Sequence, residues 1–316
     1  MQTVLVAGGA GFIGSNLCRI LLDKGYKVIC VDNLITGERE NISDLLQNEN
    51  FSFKEINVSK DFSIEEKVDF VFHLASPASP NMKSSRSYIA FPIETLLVNS
   101  IGTFNLLNLA KQNNAKFLYA SSSEIYGDPD ISPQPETYLG NVSPNGIRSV
   151  YDEGKRFGEA MTMAFFRKFG TDIRIMRIFN TYGPRMRPDD GRVVSNFINQ
   201  AIKGEPLTVY GEGKQTRSFC YIVDMVEGFS LAMFSDKTKG EVLNMGNPDE
   251  RSVGELAELI KKMTDSSSAI TYEDLPQDDP KVRKPDIAKA KAILGWEPKV
   301  SIENGLEKTI QYFKKE

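Results

Sequence analysis

Short apolar runs punctuate the first part of the chain at residues 4–7, 28–31, 70–74, 117–120 and 173–178. Runs of this length without polar alternation predict strands buried on both faces. Around them, residues 13–24, 94–112, 149–168 and 193–203 carry apolar positions three and four apart, the stripe of a helix that packs on one side. Strand alternating with helix predicts an α/β fold built on a doubly wound parallel sheet with both faces covered. Beyond residue 178 the character changes, to loops rich in Gly, Pro and Arg that carry short strands at 207–210 and 217–221. That change predicts a first domain over 1–178 and a smaller, substrate-facing domain over 179–316. The run at 241–246 reads as one more buried strand that rejoins the main sheet, so the two domains are expected to interleave.

Composition narrows the classes. With 316 residues, 41% hydrophobic and 25% charged, the chain can bury a sizeable core and does not read as disordered. Its net charge of −4 lacks the basic field that nonspecific nucleic-acid or anionic-membrane binding requires. Cys18, Cys30 and Cys220 are widely spaced and accompany a single histidine, which suits neither a disulfide framework nor a zinc site, and no metal is expected. The chain opens on a strand-like run at 3–7 and holds no eighteen-residue apolar stretch, so a cytoplasmic protein without a membrane segment is expected.

Immediately after the first run comes Gly8-Gly9-Ala10-Gly11-Phe12-Ile13-Gly14, which satisfies G-x-G-x-x-G from Gly9 and G-x-x-G-x-x-G from Gly8. A purely structural glycine turn can share the spacing. Strand before and helix after favour the phosphate-binding use, in which backbone N–H groups approach a pyrophosphate at a helix N-terminus. The sheet is thereby identified as a Rossmann sheet. The second run ends in Asp32, eighteen residues beyond Gly14, where a carboxylate accepts ribose hydroxyls and repels a 2′-phosphate, which favours NAD over NADP.

Tyr151 and Lys155 form Y-x-x-x-K on an expected helix, one turn apart on one face. A phenol with a reference pKa of about 10 is a poor base at neutral pH, but a neighbouring ammonium favours the phenolate. His73, at the end of an apolar run, reads as structural. The segment 120–127, ASSSEIYG, follows the fifth run at the strand end where doubly wound sheets bind ligands, and delivers a hydroxyl and a carboxylate to the same cleft.

These features together resemble the extended short-chain dehydrogenases that act on nucleotide sugars. Longer strings resemble the UDP-glucuronate decarboxylases over nearly the whole chain: HLASPASP at 73–80, YDEGKR at 151–156, RIFNTYGPRM at 177–186, DGRVVSNF at 190–197, GEPLTVYG at 204–211, QTRSFCY at 215–221 and LGWEP at 294–298. The resemblance implies that Ser122 bonds the sugar near the reacting hydroxyl, that Tyr151 takes its proton, and that Lys155 tunes the tyrosine and holds the nicotinamide ribose. It implies that Glu124 assists ring distortion and proton handling, and that Arg283, in the string 278–285, serves the decarboxylation. By the same carry-over the NAD contacts are Gly8, Gly11, Phe12, Ile13, Gly14, Asp32, Asn33, Thr36, Gly37, Asn57, Val58, Leu74, Ala75, Ser76 and Asn99, with Tyr151 and Lys155. The nucleotide-sugar contacts are Asn180, Arg185, Arg192, Val209, Tyr210, Gln215, Arg217 and Arg283. Two departures stand out: Asn57-Val58 replaces a more usual Asp-Val, and the stretch 81–91 beside the sugar site is longer than in typical members.

The implied reaction makes a ketone at carbon 4 by hydride transfer to NAD⁺, so that the neighbouring carboxylate is lost through an enolate; protonation and return of hydride give UDP-xylose. A nucleotide-sugar 4-epimerase shares most of this machinery, but its turn generally lacks the glutamate. A 4,6-dehydratase carries an aspartate before that glutamate, where Ser123 stands here. A catalytically silent NAD-sensing protein would have no need of Tyr151 and Lys155. The resemblance further implies a homodimer built through 94–112 and 149–168.

Overall fold

The computed structural model describes residues 1–274 and 282–315. In chain order the first part comprises β1 (Thr3–Ala7), α1 (Phe12–Asp23), β2 (Lys27–Asp32), β3 (Phe51–Glu55), β4 (Phe70–His73), α2 (Pro92–Leu97), α3 (Thr103–Asn113), β5 (Lys116–Ser122), α4 (Ser149–Phe169) and β6 (Ile173–Ile178). There follow β7 (Thr181–Tyr182), α5 (Val193–Lys203), β8 (Leu207–Tyr210), β9 (Thr216–Ser218), β10 (Cys220–Tyr221), α6 (Ile222–Phe234), β11 (Val242–Met245), β12 (Glu250–Ser252), α7 (Val253–Met263), β13 (Ile270–Glu273), β14 (Val282–Arg283), α8 (Ala288–Leu294) and α9 (Ile302–Phe313).

Seven strands form one parallel sheet in the order β11-β6-β5-β4-β1-β2-β3. Its central runs lack polar alternation because both faces are covered. Val4, Val6, Val28 and Cys30 face one buried cluster, while Leu5, Ala7, Ile29 and Val31 face another. The first cluster also takes Leu17 and Leu21 of α1 and Phe229 of α6; the second takes Leu106 and Leu107 of α3 and Phe165 of α4. From β1 the chain moves outward to β2 and β3, then returns to β4 on the other side. Register Ala7↔His73 aligns the ends of β1 and β4, and the crevice at that reversal is where an open α/β sheet admits a ligand. The late strand β11 pairs with β6, from Val242↔Ile175 to Met245↔Ile178.

The small sheets lie outside this layer: β12-β9-β14, β13-β8 and β10-β7. Residues 217–221 are expected as one strand but split between two of them, with Phe219 buried at the break. The helix expected over 94–112 is interrupted by a wider π-type turn at Val98–Gly102. That turn brings the buried Asn99 inward, where its amide donates to Ser76 Oγ at 2.9 Å and its carbonyl accepts from the Tyr119 hydroxyl at 2.9 Å. Such π-turns trade helix regularity for a placed side chain. Strand β3, FSFKE, escapes the periodicity because it is only partly buried at the sheet edge.

Helix α4 lies unusually close to β5. A side-chain carbon on Gly158 would overlap the Tyr119 hydroxyl, so only glycine permits this approach. The consequence is functional, because α4 carries Tyr151 and Lys155 to the end of β5. No helix among the described residues is long and apolar enough to cross a membrane.

Candidate active site

A cleft of about 420 Å³ opens over the ends of β1, β5 and β6 and is lined from both the main sheet and the later segments. Its first wall is the glycine turn. A side-chain carbon on Gly8 (φ 82°) would lie 2.6 Å from the Ala75 nitrogen, and one on Gly14 would run into the Gly8 carbonyl. Backbone therefore packs on backbone, and no side chain caps the N-terminus of α1. Gly11, Phe12, Ile13 and Gly14 line the cleft there. Uncapped N–H groups with a helix dipole behind them suit a pyrophosphate.

Asp32 closes β2. Its carboxylate accepts from the Ala10 N–H at 3.0 Å and the Leu34 N–H at 2.9 Å. Burial raises its pKa, and the N–H groups of Leu34, Ala10 and Asn33 oppose that shift. A side-chain carbon on Gly37 would lie 2.9 Å from both carboxylate oxygens, so the loop passes the acid only as glycine. Turn and acid together fit a dinucleotide.

The expected dinucleotide contacts divide into two sets. Gly8, Gly11, Phe12, Ile13, Gly14, Thr36, Leu74 and Ser76 line the cleft, while Asp32, Asn33, Gly37, Asn57, Val58, Ala75 and Asn99 are not part of its lining. Asn33 and Asn57 accept backbone N–H groups two residues on, from Ile35 at 3.3 Å and Ser59 at 2.9 Å. Val58 is buried against Gly102, and Ala75 meets Gly8 through its backbone.

The proton-handling groups come together at the end of β5. Lys155 is buried, donates to the Ala120 carbonyl at 2.9 Å, and sits 5.6 Å from the Tyr151 ring centroid. Burial lowers its pKa to about 7, with Glu159 opposing. Burial pushes the Tyr151 phenol up to about 12, while the Ser122 hydroxyl and the Arg192 charge pull it down. Ser122 Oγ accepts the Glu124 N–H at 3.2 Å and caps the short turn that presents Glu124. His73 is fully buried in β4, within 3.0 Å of Thr103 Oγ1, and burial together with the Lys155 charge lowers its pKa to about 3. It therefore stays neutral and outside the cleft lining.

Glu124 is clamped between two arginines. Arg148 donates to it at 2.5 Å and Arg283 donates to its other oxygen. Burial alone would raise its pKa, but Arg148 and Arg283 outweigh burial and hold the carboxyl well below the usual range. At neutral pH it is a carboxylate and an acceptor. Arg283 reaches the cleft from β14, although residues 278–281 of its string lie outside the described residues. Asn180, Arg192, Tyr210, Gln215 and Arg217 line the same space. Val209 is fully buried in the core instead, and Arg185 (φ 69°) stands beside Arg19, Asp44 and Tyr312, away from the lining.

Two lining residues go unnoticed in the sequence. Arg148 immediately precedes α4, where a cation faces the unfavourable pole of the helix dipole; that mismatch was the available signal of a partner elsewhere. Tyr88, from the 81–91 stretch, stacks on Tyr151 with centroids 5.0 Å apart and planes 12° apart. No local pattern marks it.

Residues 4–246 match the model of the NAD dependent epimerase/dehydratase family. The chain is 50% identical over 315 residues to UDP-glucuronic acid decarboxylase 1 of Xenopus tropicalis, covering 100% of this chain and 73% of that protein. It is 49% identical over 311 residues to UDP-glucuronic acid decarboxylase 2 of Arabidopsis thaliana, covering 98% and 68%. Among solved structures it is similar to a UDP-glucuronic acid 4-epimerase from Bacillus cereus in complex with UDP-glucuronic acid and NAD, with a TM-score of 0.88 and 31% identity over 99% of both chains.

Proposed function

This chain belongs to the NAD dependent epimerase/dehydratase family, and from that premise we propose that it decarboxylates UDP-glucuronate to UDP-xylose with NAD as a recycled cofactor. The observation that carries the reading is the Glu124 carboxylate held between Arg148 and Arg283 at the cleft wall shared with Ser122 and Tyr151. An epimerase must release and turn its sugar, whereas a decarboxylase must hold a carboxylated ring still while carbon dioxide departs. Paired guanidiniums around a fixed acid suit the second task. When bound, NAD would supply a reversible hydride sink for carbon 4, and a carbonyl there is β to the carboxylate.

The chain's own groups do the rest. The α1 N-terminus and Asp32 would hold the dinucleotide, the first through N–H groups and the second through its carboxylate. Tyr151 takes the proton of the 4-hydroxyl, which Ser122 orients. Lys155, buried beside the phenol, favours the phenolate whenever it carries its proton. Glu124, ionised by its arginines, accepts hydrogen bonds from the sugar ring and resists its rotation. Arg217, Arg192 and Gln215 face the nucleotide diphosphate. The first domain, 1–178, thus serves the cofactor and 179–316 the nucleotide sugar, with β11 returning to the sheet.

Ser123 stands where a 4,6-dehydratase would carry its acid, and the intact Tyr151–Lys155 pair distinguishes the chain from a silent NAD sensor. The 4-epimerase is the reading to test against, because it uses the same sheet. A homodimer fits the surface: Ile93 and Leu96 of α2, Ile101, Phe104 of α3 and Phe157 of α4 are exposed apolar residues on helices that pack together. Sedimentation of wild type against Phe157→Glu tests that association.

Purified protein incubated with UDP-glucuronate and NAD⁺ should yield a pentose whose carbon-5 methylene appears by proton NMR. A product that retains its carboxyl group and inverts carbon 4 would instead establish the epimerase.

A further inference from the structure

Tyr88 is only 1% exposed, yet its hydroxyl is buried without a hydrogen-bond partner. An unsatisfied buried phenol is costly, by about 1–3 kcal/mol in general, and is the kind of group a structure keeps for a ligand. Its position is tightly set. The Tyr88 N–H donates to the Ser79 carbonyl at 3.1 Å, Arg86 two residues earlier pairs with Glu38 at 2.7 Å, and the ring lies nearly parallel to Tyr151. The side chain lines the cleft with Glu124, Arg148 and Tyr151. Burial first, then Glu124, raise its pKa, with Arg148 opposing and Asp152 and Tyr151 adding to the rise. It therefore remains a neutral O–H donor throughout the working pH range.

The geometry points to Tyr88 as a substrate-positioning residue, whose ring fixes the plane of the Tyr151 phenol and whose hydroxyl donates a hydrogen bond to the hexuronate, not to the nucleotide. The assignment rests on the nucleotide-sugar reading above. It concerns the reacting end of the substrate, because the ring it stacks on is the one that takes the 4-hydroxyl proton. The longer 81–91 stretch acquires a purpose: it carries this second aromatic over the sugar.

The conservative variant Tyr88→Phe keeps the stack and removes only the donor. Loss of one net hydrogen bond should raise KM for UDP-glucuronate about threefold to tenfold, with kcat and its pH profile nearly unchanged. UDP, titrated alone, should bind wild type and variant equally. Ligand-free thermal stability should be unchanged or higher, because no internal partner is lost. Tyr88→Leu, which also removes the stack, should lower kcat and shift the alkaline-going limb of its pH profile. An unchanged KM in Tyr88→Phe, or an equal loss of UDP affinity, would overturn the assignment. Failure of wild type itself to convert UDP-glucuronate would overturn the functional reading separately.

Discussion

The Glu124 clamp sets a testable energy. The carboxylate and its two arginines are mostly buried, with side-chain exposures of 17%, 14% for Arg148 and 5% for Arg283. At an effective dielectric near 20, two unit charges about 4 Å apart attract by about 4 kcal/mol. Glu124→Gln keeps the shape but removes both attractions and leaves two guanidiniums facing each other. Breaking a buried pair in this way costs about 3–5 kcal/mol. Arg283→Met removes one attraction and relieves one buried cation, so its cost should be smaller. Because the same contact is deleted in both, the double variant should fall short of the summed losses by about 1–3 kcal/mol.

Urea unfolding of the four proteins at one fixed protein concentration gives the cycle. The pH dependence provides a second check. The folded pKa of Glu124 lies below its unfolded value, so its contribution is present above the unfolded pKa and lost as pH falls through the folded one. In an Asp152→Asn background, which removes the neighbouring carboxyl that Glu124 pushes up, the gap between the Glu124 and Glu124→Gln proteins should therefore stay level from pH 6 to 8 and close only in strong acid. A coupling below about 0.5 kcal/mol, or a gap that changes across neutral pH, would refute the clamp.

Three further outcomes are expected. Tyr151→Phe should lower turnover about a hundredfold to ten-thousandfold while UDP affinity is preserved, and a variant with wild-type kcat would remove Tyr151 from the mechanism. Asp152, 6% exposed with one oxygen unpartnered, is pushed up to about 8 by burial and then by Glu124, against Arg148 and Arg283. The folded state thus keeps a proton that the unfolded state releases near its ordinary value of about 4, so the contribution of Asp152 to stability should decline as pH rises from about 4 to 8 and then level. His73, held down to about 3 by burial, tilts total stability the other way in acid, so the measure is the urea midpoint of wild type minus that of Asp152→Asn, which should fall across this range; parallel curves would sink it. Gly158→Ala, which forces a methyl onto the Tyr119 hydroxyl, should cost about 1–3 kcal/mol, and Tyr119→Phe in the same chain should recover part of it. A Gly158→Ala protein as stable as wild type would contradict the close helix–strand approach.

What the sequence made legible was local. Gly8 to Gly14 and the Tyr151–Lys155 pair announce themselves because a turn and a helical face fix their spacing. The buried strands of the sheet show as apolar runs because both sides are covered, whereas β3 at the edge does not. The π-type turn at Val98–Gly102 has no periodic signature, since one wider turn inside a helix leaves the apolar stripe almost intact. Arg283 lies 159 residues from the carboxylate it bonds and was reached only through resemblance. Arg148 leaves only the dipole mismatch as a trace, and Tyr88 leaves none, for the same physical reason: their meaning lies in tertiary contacts to Glu124 and Tyr151. Val209 and Arg185 show the converse, for residues within or beside a substrate-facing string can point into the core or away from the cleft.

The division of groups between the layers explains why the fold alone does not name the reaction. Ser122, Glu124, Tyr151 and Lys155 sit on β5, the turn after it, and α4, all anchored to the main sheet that epimerases share. Arg283 comes from β14, a two-residue strand outside that sheet. Such a strand is too short to hold itself in place. It pairs with β9 in register Arg283↔Arg217, and the next residue is gripped twice by the buried Gln134: the Gln134 N–H donates to the Lys284 carbonyl at 2.8 Å, and the Lys284 N–H donates to the Gln134 side-chain oxygen at 2.8 Å. One of the two arginines that ionise Glu124 is thus fixed beside Arg217, which lines the same cleft, before any substrate arrives, which is the preorganisation that electrostatic catalysis requires. On the proposed reading, proton handling belongs to groups anchored on the main sheet, and the choice of what to do with the ketone depends on the short ladder laid against it.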